Sequence, residues 1–480
     1  MNIILVIIDT LRYDAIGVNG SDWITTPNID RLAGRSRRFD RCFAASFPTI
    51  PHRTDVMTGR TGGPFHPWLP LRHDRVTFPR TLAEAGYATQ LIHDTPHLVN
   101  GGHNFDWPFH AWTQIRGAEV DRPWITDTLG YPDNWQADPV FDGVEGDPLK
   151  VNLMATYLRA NRNRKTLEDW NAAKLFAAAG DFVRDNAKRD NFFLWVDCFD
   201  PHEPWDAPRE FMKKVVDEPG YDGRIDPRSF CVKTPADVPD KVVGRIRAAY
   251  AAKASWMDHC FGKLLDVMDE TGLWETTAVV FTADHGTRLY ERGLFGKGHP
   301  VLEEVAHVPL MVCAPGVGTG RSDLIVQPQD VFATVCALAG VTVPEGIDSH
   351  DVMALAGGGK DGPRNIALTG IRADSWGKQA DGTLFVVYDA EWCLEFRLKP
   401  EDCVLTRLGS MEDVAAANPD VVRRLHAGAL DEIERRGTDP ALVTWLRSAG
   451  ETDFPTGARP FDNWPPPAGY SAYFGRLCHD

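Results

Sequence analysis

The unbroken apolar run Ile3-Ile4-Leu5-Val6-Ile7-Ile8, closed by Asp9, constrains this chain more than any other stretch. A run with no polar alternation suits a strand covered on both faces, as in a parallel sheet. Three further strand-like runs lead into polar clusters. Ala88–Ile92 leads into His93-Asp94-Thr95-Pro96-His97, and Asn191–Asp197 leads into Asp200-Pro201-His202-Glu203-Pro204. Thr277–Thr282 leads into Asp284-His285-Gly286. Helical patterns fall between the runs, over 79–87, 165–187 and 240–271, the last through Ile246, Tyr250, Met257 and Leu264. The alternation predicts an α/β fold, a mostly parallel central sheet sandwiched by helices. Ligands of open α/β sheets bind outside the carboxyl ends of strands, which is where Asp9 falls.

The chain has 480 residues, 43% of them hydrophobic, so it can bury a sizeable core. We expect an α/β domain over 1–360, with a long insertion at 101–150 rich in Trp, Pro, Asp and Gly. A small subdomain over 361–453 is expected from antiparallel strands at 383–388, 392–397 and 404–407 and helices at 411–436 and 439–448. The tail 454–480 is rich in Pro, Trp, Tyr and Phe, and so aromatic a segment should pack on its own body or on a neighbouring subunit, making a homo-oligomer. A net charge of −16 argues against a nucleic-acid surface. No run approaches the roughly 18 apolar residues of a membrane span. The first residues lack a basic region and a small-residue cleavage site, and read as a strand instead of a signal peptide. Nine scattered cysteines without CxxC spacing fit reduced thiols, hence a cytoplasmic protein.

The stretch Ser46 to Arg60 places Thr49 four residues before Arg53, with Pro51 between. A helix starting near Pro51 would turn its N-terminus toward Thr49, favouring an anion there. Arg53 would add a planar fork for phosphate or sulfate oxygens. A proline-broken loop entering an ordinary helix explains the same residues. His202, confined by prolines at a strand end, suits an acid, a base or an anion contact, but also a satisfied loop histidine. Lys297 and His299 lie among three glycines, which permit close approach of backbone to a ligand. Asp9, Asp284 and His285 make an oxygen-rich donor set for Mn, Mg, Ca or Zn, which Thr49 Oγ would complete. An Asp-His-Gly triplet alone is weak evidence.

Taken together, these segments resemble the sulfatase branch of the alkaline phosphatase superfamily. The matching pieces are Asp9-Thr-Leu-Arg12, Pro27-Asn-Ile-Asp-Arg-Leu32, Thr49-x-Pro51-x-Arg53 running into Thr58-Gly59, and Asp200-Pro-His202. Phe281-Thr-Ala-Asp284-His285-Gly286, Leu294-Phe-Gly-Lys297-Gly-His299, Val308-Pro-Leu, Ala314-Pro-Gly and the helix from Gln329 follow in order. The resemblance implies an alkaline phosphatase-like fold with a small C-terminal antiparallel sheet-plus-helix subdomain. Two departures matter. Sulfatases of this kind carry cysteine or serine, oxidised to formylglycine, where Thr49 stands, and threonine cannot be converted in that way. Thr10 replaces the second aspartate of the usual pair.

By the same resemblance, one divalent metal is expected on Asp9, Asp284, His285 and Thr49, as in phosphonate monoester hydrolases. A second metal on Asp200, His202 and His299 matches di-metal spacing poorly. Arg53 would orient Thr49 and offset transition-state charge, and Lys297 and His202 would bind the transferring oxygens or the leaving group. His202 or His299 would supply a proton. His93, Asp94 and Thr95 fall where the family places further substrate contacts, without its lysine-rich pattern. Nucleotide pyrophosphatase/phosphodiesterases use a threonine nucleophile. The expected function is therefore metal-dependent hydrolysis of small anionic esters, phosphate diesters or phosphonate monoesters, through phosphoryl-Thr49. The alternatives are a sulfuric ester hydrolase working without formylglycine and a catalytically degenerate anion-binding homologue.

Overall fold

A computed structural model describes residues 1–99, 102–119, 121, 138–144, 155, 157–224, 238–358, 362–373, 376 and 382–455. Eight strands form the central sheet: β1 (Asn2–Ile8), β2 (Arg37–Cys42), β3 (Ala88–His93), β4 (Ala111–Gln114), β5 (Phe192–Cys198), β6 (Thr277–Ala283), β7 (Leu310–Cys313) and β8 (Gly320–Val326). Their order is β8-β2-β7-β6-β1-β5-β3-β4. Only β7 runs antiparallel, between β2 and β6. β1 sits at the centre with every residue buried, which is why its sequence shows no alternation.

Register brings the strand ends together. Ile8 pairs with Cys198 on one side and Ala283 on the other, and His93 pairs with Asp197. Asp9, Asp197 and Asp284 therefore end neighbouring strands at one edge of the sheet, although they are far apart in sequence.

Helices pack in two groups against this sheet. One contains α1 (Pro27–Ala33), Asn171–Asp185 and the 32-residue helix Asp240–Thr271; the other contains α2 (Thr49–Thr58), Phe78–Glu84 and Asp330–Ala339. Asp258 on the long helix accepts the backbone N–H groups of Asn28 and Ile29, capping α1, because the Thr26 hydroxyl accepts from the Gly17 N–H and makes no capping bond. The expected helices 79–87, 165–187, 411–436 and 439–448 are each shorter in the structure. Fraying and polar first turns blur such ends in sequence.

The region expected to be an insertion in fact supplies β4, which adds to the sheet edge beside β3. Its four residues are largely exposed, so they carry no hydrophobic pattern to read. A second sheet of four antiparallel strands, β9 (Ala367–Thr369), β10 (Phe385–Tyr388), β11 (Trp392–Phe396) and β12 (Val404–Arg407), packs on helices Pro419–Arg435 and Pro440–Arg447. Phe65, from the large sheet's part of the chain, is buried in that second core. Gly370 admits it: a Cβ there would lie 2.6 Å from the Phe65 ring. Phe454 lies edge-on to Trp445, but the tail from 456 onward is outside the described residues. The seven described cysteines are free and buried. Among the described residues no helix is long and apolar enough to cross a membrane.

Candidate active site

Arg53 is the hub of the strand-end cluster. Its Nε and Nη2 each lie 2.8 Å from the two oxygens of Asp197, a bidentate pair. Nη1 donates to Asp284 Oδ2 at 2.6 Å and Nη2 to Asp9 Oδ2 at 3.2 Å. The remaining Nη1 donor reaches the Thr49 carbonyl at 3.2 Å. All five guanidinium N–H groups are thus taken within the protein, and all four charged side chains are completely buried. This corrects the reading of Arg53 as an open fork for substrate oxygens. It holds the carboxylates and the first helical turn in place instead.

Helix α2 begins at Thr49, two residues earlier than expected, because Pro51 in the first turn has no N–H to lose. Asp55 reaches back to the Ser46 N–H at 2.7 Å and accepts from its hydroxyl at 2.8 Å, clamping the loop that enters the helix. Gly59 ends it in the left-handed region, where a Cβ would lie 2.6 Å from Ile347. Thr49 is therefore held at a helix N-terminus directly beside Arg53.

Asp9, Asp284 and His285 offer ligand atoms all within 4.8 Å of one another, the one such group among the described residues. His285 Nδ1 donates to the Gly286 carbonyl at 2.9 Å, which leaves Nε2 as the lone-pair nitrogen. Nε2 lies 3.6 Å from Asp284 Oδ2 and 4.0 Å from Asp9 Oδ1, and it is buried with no hydrogen-bond partner. Burial lowers the imidazole pKa to about 3, so it is neutral. Burial and then the Asp284 charge push Asp9 well above the usual carboxylate range. Burial would raise Asp284 too, but the Arg53 guanidinium holds it well below. Two buried carboxylates close together, facing an orphaned imidazole nitrogen, make an arrangement that a divalent cation satisfies. The donor set fits.

Thr10 stands between the groups. Its N–H donates to Asp284 Oδ1 at 2.9 Å and its hydroxyl to Asp9 Oδ1 at 2.8 Å. Its φ is +63°, a left-handed conformation that is costly for a β-branched residue and that the surrounding bonds enforce.

On loops beside the cluster, Lys297 Nζ lies 3.2 Å from Thr10 Oγ1 and 3.3 Å from Glu203 Oε2. His202 Nδ1 donates to the Glu203 carbonyl at 2.5 Å, and its ring stacks on Phe199. Burial, with the Lys297 charge, lowers His202 to about 4 and keeps it neutral. Lys253 on the long helix fixes this loop, with its Nζ 3.0 Å from Asp200, 3.1 Å from Asp206 and 2.6 Å from the Pro204 carbonyl.

Several expected contacts lie elsewhere. Asp200 is paired with Lys253, and His299 Nε2 donates to the Thr383 carbonyl at 2.6 Å, so Asp200, His202 and His299 do not form a second metal group. His93, Asp94 and Thr95 are buried behind the strand ends. The Thr95 hydroxyl donates to Asp197 Oδ1 at 2.5 Å, and Asp94 accepts the Phe199 N–H at 2.6 Å. His93 Nδ1 donates to the Thr95 carbonyl at 3.0 Å. These three residues support Asp197 and the β5 exit.

Sequence reading gave no role to Asp197, Glu203, Glu119, Lys253 or His52. Asp197 had a signal, an acidic end to a buried strand like Asp9. His52, one position before Arg53, is buried with neither ring nitrogen partnered, and burial lowers it to about 3.

The family model described as Sulfatase matches residues 1–341. The arylsulfatase of Clostridium perfringens is 26% identical over 386 residues, covering 72% of this chain and 76% of its own. The choline-sulfatase of Rhizobium meliloti is 26% identical over 395 residues, covering 72% and 68%. Among solved structures, the phosphonate monoester hydrolase from Silicibacter pomeroyi superposes with a TM-score of 0.69 at 22% identity, covering 91% of this chain and 95% of that one. The Agrobacterium radiobacter phosphonate monoester hydrolase gives 0.67 at 20%, covering 91% and 96%. At such identities the structural likeness establishes the fold.

Proposed function

This chain belongs to the sulfatase family and is an ester-cleaving hydrolase, and from that premise we propose that Thr49 is its nucleophile, acting on phosphate diesters or phosphonate monoesters. The observation that carries the reading is the position of Thr49. It opens a helix whose Arg53 binds both carboxylates of the metal-fitting cluster. A divalent ion on Asp9, Asp284 and His285, with Thr49 as a further ligand, would acidify the hydroxyl and offset charge on the transferring oxygens.

The chain's own residues do the rest. Arg53 fixes the first turn through the Thr49 carbonyl, so the backbone that carries the hydroxyl is set before substrate arrives. The helix N-terminus and Lys297 favour an anionic group in front of it. Thr49 Oγ attacks phosphorus, the bond to the leaving oxygen breaks, and a phosphoryl-threonine remains. A sulfated formylglycine hydrate can expel its sulfate by collapsing to the aldehyde. An esterified threonine cannot collapse, so water must attack phosphorus in a second displacement. His202 presents a neutral imidazole whose Nδ1 proton is committed to Glu203, so Nε2 is suited to accept a proton from that water.

The sulfatase relatives favour a second reading, sulfate ester hydrolysis through the same threonine. The two are separated by turnover of Mn²⁺-loaded protein on an aryl phosphate diester, phosphonate monoester and sulfate monoester sharing one leaving group. Diester or phosphonate turnover that vanishes in Thr49→Ala is the expected result. Dominant sulfate turnover would overturn it in favour of the second reading.

A further inference from the structure

One charged group beside the cluster has no part in the chemistry above. Glu203 Oε2 lies 3.3 Å from Lys297 Nζ and 3.4 Å from His202 Nδ1, and the residue is 8% exposed. Lys297 continues to Thr10, and Thr10 to Asp9 Oδ1, so Glu203 is joined to a metal-fitting carboxylate through three short contacts. Burial would neutralise Glu203, but the Lys297 charge holds it ionised. Glu119 accepts from His97 at 3.0 Å and is likewise held below the usual range, against burial, by that bond. This side of the site thus sets one lysine against two ionised carboxylates, with His202 neutral. A lysine meant for an incoming oxyanion is already half-spent on Glu203.

We propose that Glu203 is a specificity-determining residue: by neutralising Lys297 it admits esters whose transferring group carries one negative charge and rejects phosphate monoesters, which carry two. Phosphate diesters, phosphonate monoesters and sulfate monoesters each present a single charge there. A phosphate monoester above its second pKa, about 6, presents a second charge toward Glu203. A like charge a few ångströms away in a poorly screened site weakens binding about tenfold or more. Removing the Glu203 charge frees Lys297 for the second anionic oxygen. This inference rests on the phosphoryl-transfer reading of the site.

The test compares an aryl phosphate diester with the aryl phosphate monoester of the same leaving group at pH 8, in wild-type and Glu203→Gln protein loaded with Mn²⁺. The diester-to-monoester ratio of kcat/KM is expected to fall about tenfold in Glu203→Gln, because the monoester gains. An unchanged or rising ratio overturns the inference. Should Glu203→Gln fold poorly by thermal melt, the wild-type ratio carries the test alone. It should fall as pH drops from 8 to 5 and the monoester loses its second charge; a flat ratio overturns the inference. Calorimetric binding of inorganic phosphate against dimethyl phosphate, wild type against Glu203→Gln, keeps the inference separate from the function. If neither ester turns over, the phosphoryl-transfer reading fails, and a selective gain in phosphate binding would still support the role of Glu203. No selective gain overturns it.

Discussion

The floor of the site and its wall are built on different principles. The floor is Arg53 with Asp9, Asp197 and Asp284, all completely buried and all placed by strand ends or the first turns of a helix. The wall is Lys297, Glu203, His202, Glu119 and His97, carried on loops and a short turn, with Lys297, Glu119 and His97 partly open to solvent. Every donor of Arg53 is matched, four by the floor's carboxylates and one by the Thr49 carbonyl, so it cannot be re-aimed without leaving buried charge unpaired. The wall's Lys297–Glu203 pair is longer, and its His97–Glu119 pair is the more exposed and can be exchanged at small cost. On the proposed function, the floor sets the reaction and the wall selects what enters it.

The largest effect should come from Thr49→Ala. Turnover should fall about 10⁴-fold or more, while stability measured by urea unfolding changes by about 1 kcal/mol. Substantial residual turnover in a folded variant would remove Thr49 from the floor's chemistry. Arg53→Met leaves three carboxylates facing one another in the interior, and should destabilise the fold by about 3–5 kcal/mol in denaturant unfolding. A mild loss would mean that the floor is less rigidly coupled than its geometry implies.

Stripping divalent ions with a chelator should lower stability by about 2.7 kcal/mol relative to protein held at one hundred times the dissociation constant. That shift should disappear in Asp284→Asn, whose melting temperature should no longer respond to Mn²⁺. Acid should act on both regions. His93 and His202 titrate at about 4 in the fold, against 6.5 unfolded. The unfolded chain binds more protons between those values. Stability is therefore lost as pH falls from 6.5 toward 4, by up to about 1.4 kcal/mol per pH unit for each histidine. His93→Gln should flatten that slope in pH-dependent unfolding. His97→Gln, which breaks a partly exposed pair with Glu119, should cost less than about 1 kcal/mol. A larger loss would place this pair with the floor.

Much of the floor was legible in the chain. Asp9 and the Asp284-His285 pair each follow an apolar run too uniform for anything but a buried strand, and strand ends in such sheets carry ligands. The 240–271 helix was readable to its last residue because its periodicity is long and Gly272 ends it in the left-handed region. The wall was less legible. Lys297 and His202 carried motif signals, but their partner Glu203 is 94 residues from Lys297 and sits in a Pro-rich loop. His93, Asp94 and Thr95 looked like substrate contacts because they end a strand. Their side chains turn inward to support Asp197, and side-chain direction past a strand end obeys no sequence period.

What the sequence alone determined is local: which stretches are strands and helices, where they end, and that a hydroxyl, an arginine and several acids stand at those ends. Hydrophobic periodicity and turn chemistry act over a few residues, so they are written in consecutive letters. Tertiary structure alone decided that β7 runs backward between β2 and β6, that Arg53 spends four of its five donors on Asp9, Asp197 and Asp284, and that Glu203 faces Lys297. Those choices follow from packing and from the need to pair each buried charge. Both forces act through space between residues far apart in the chain.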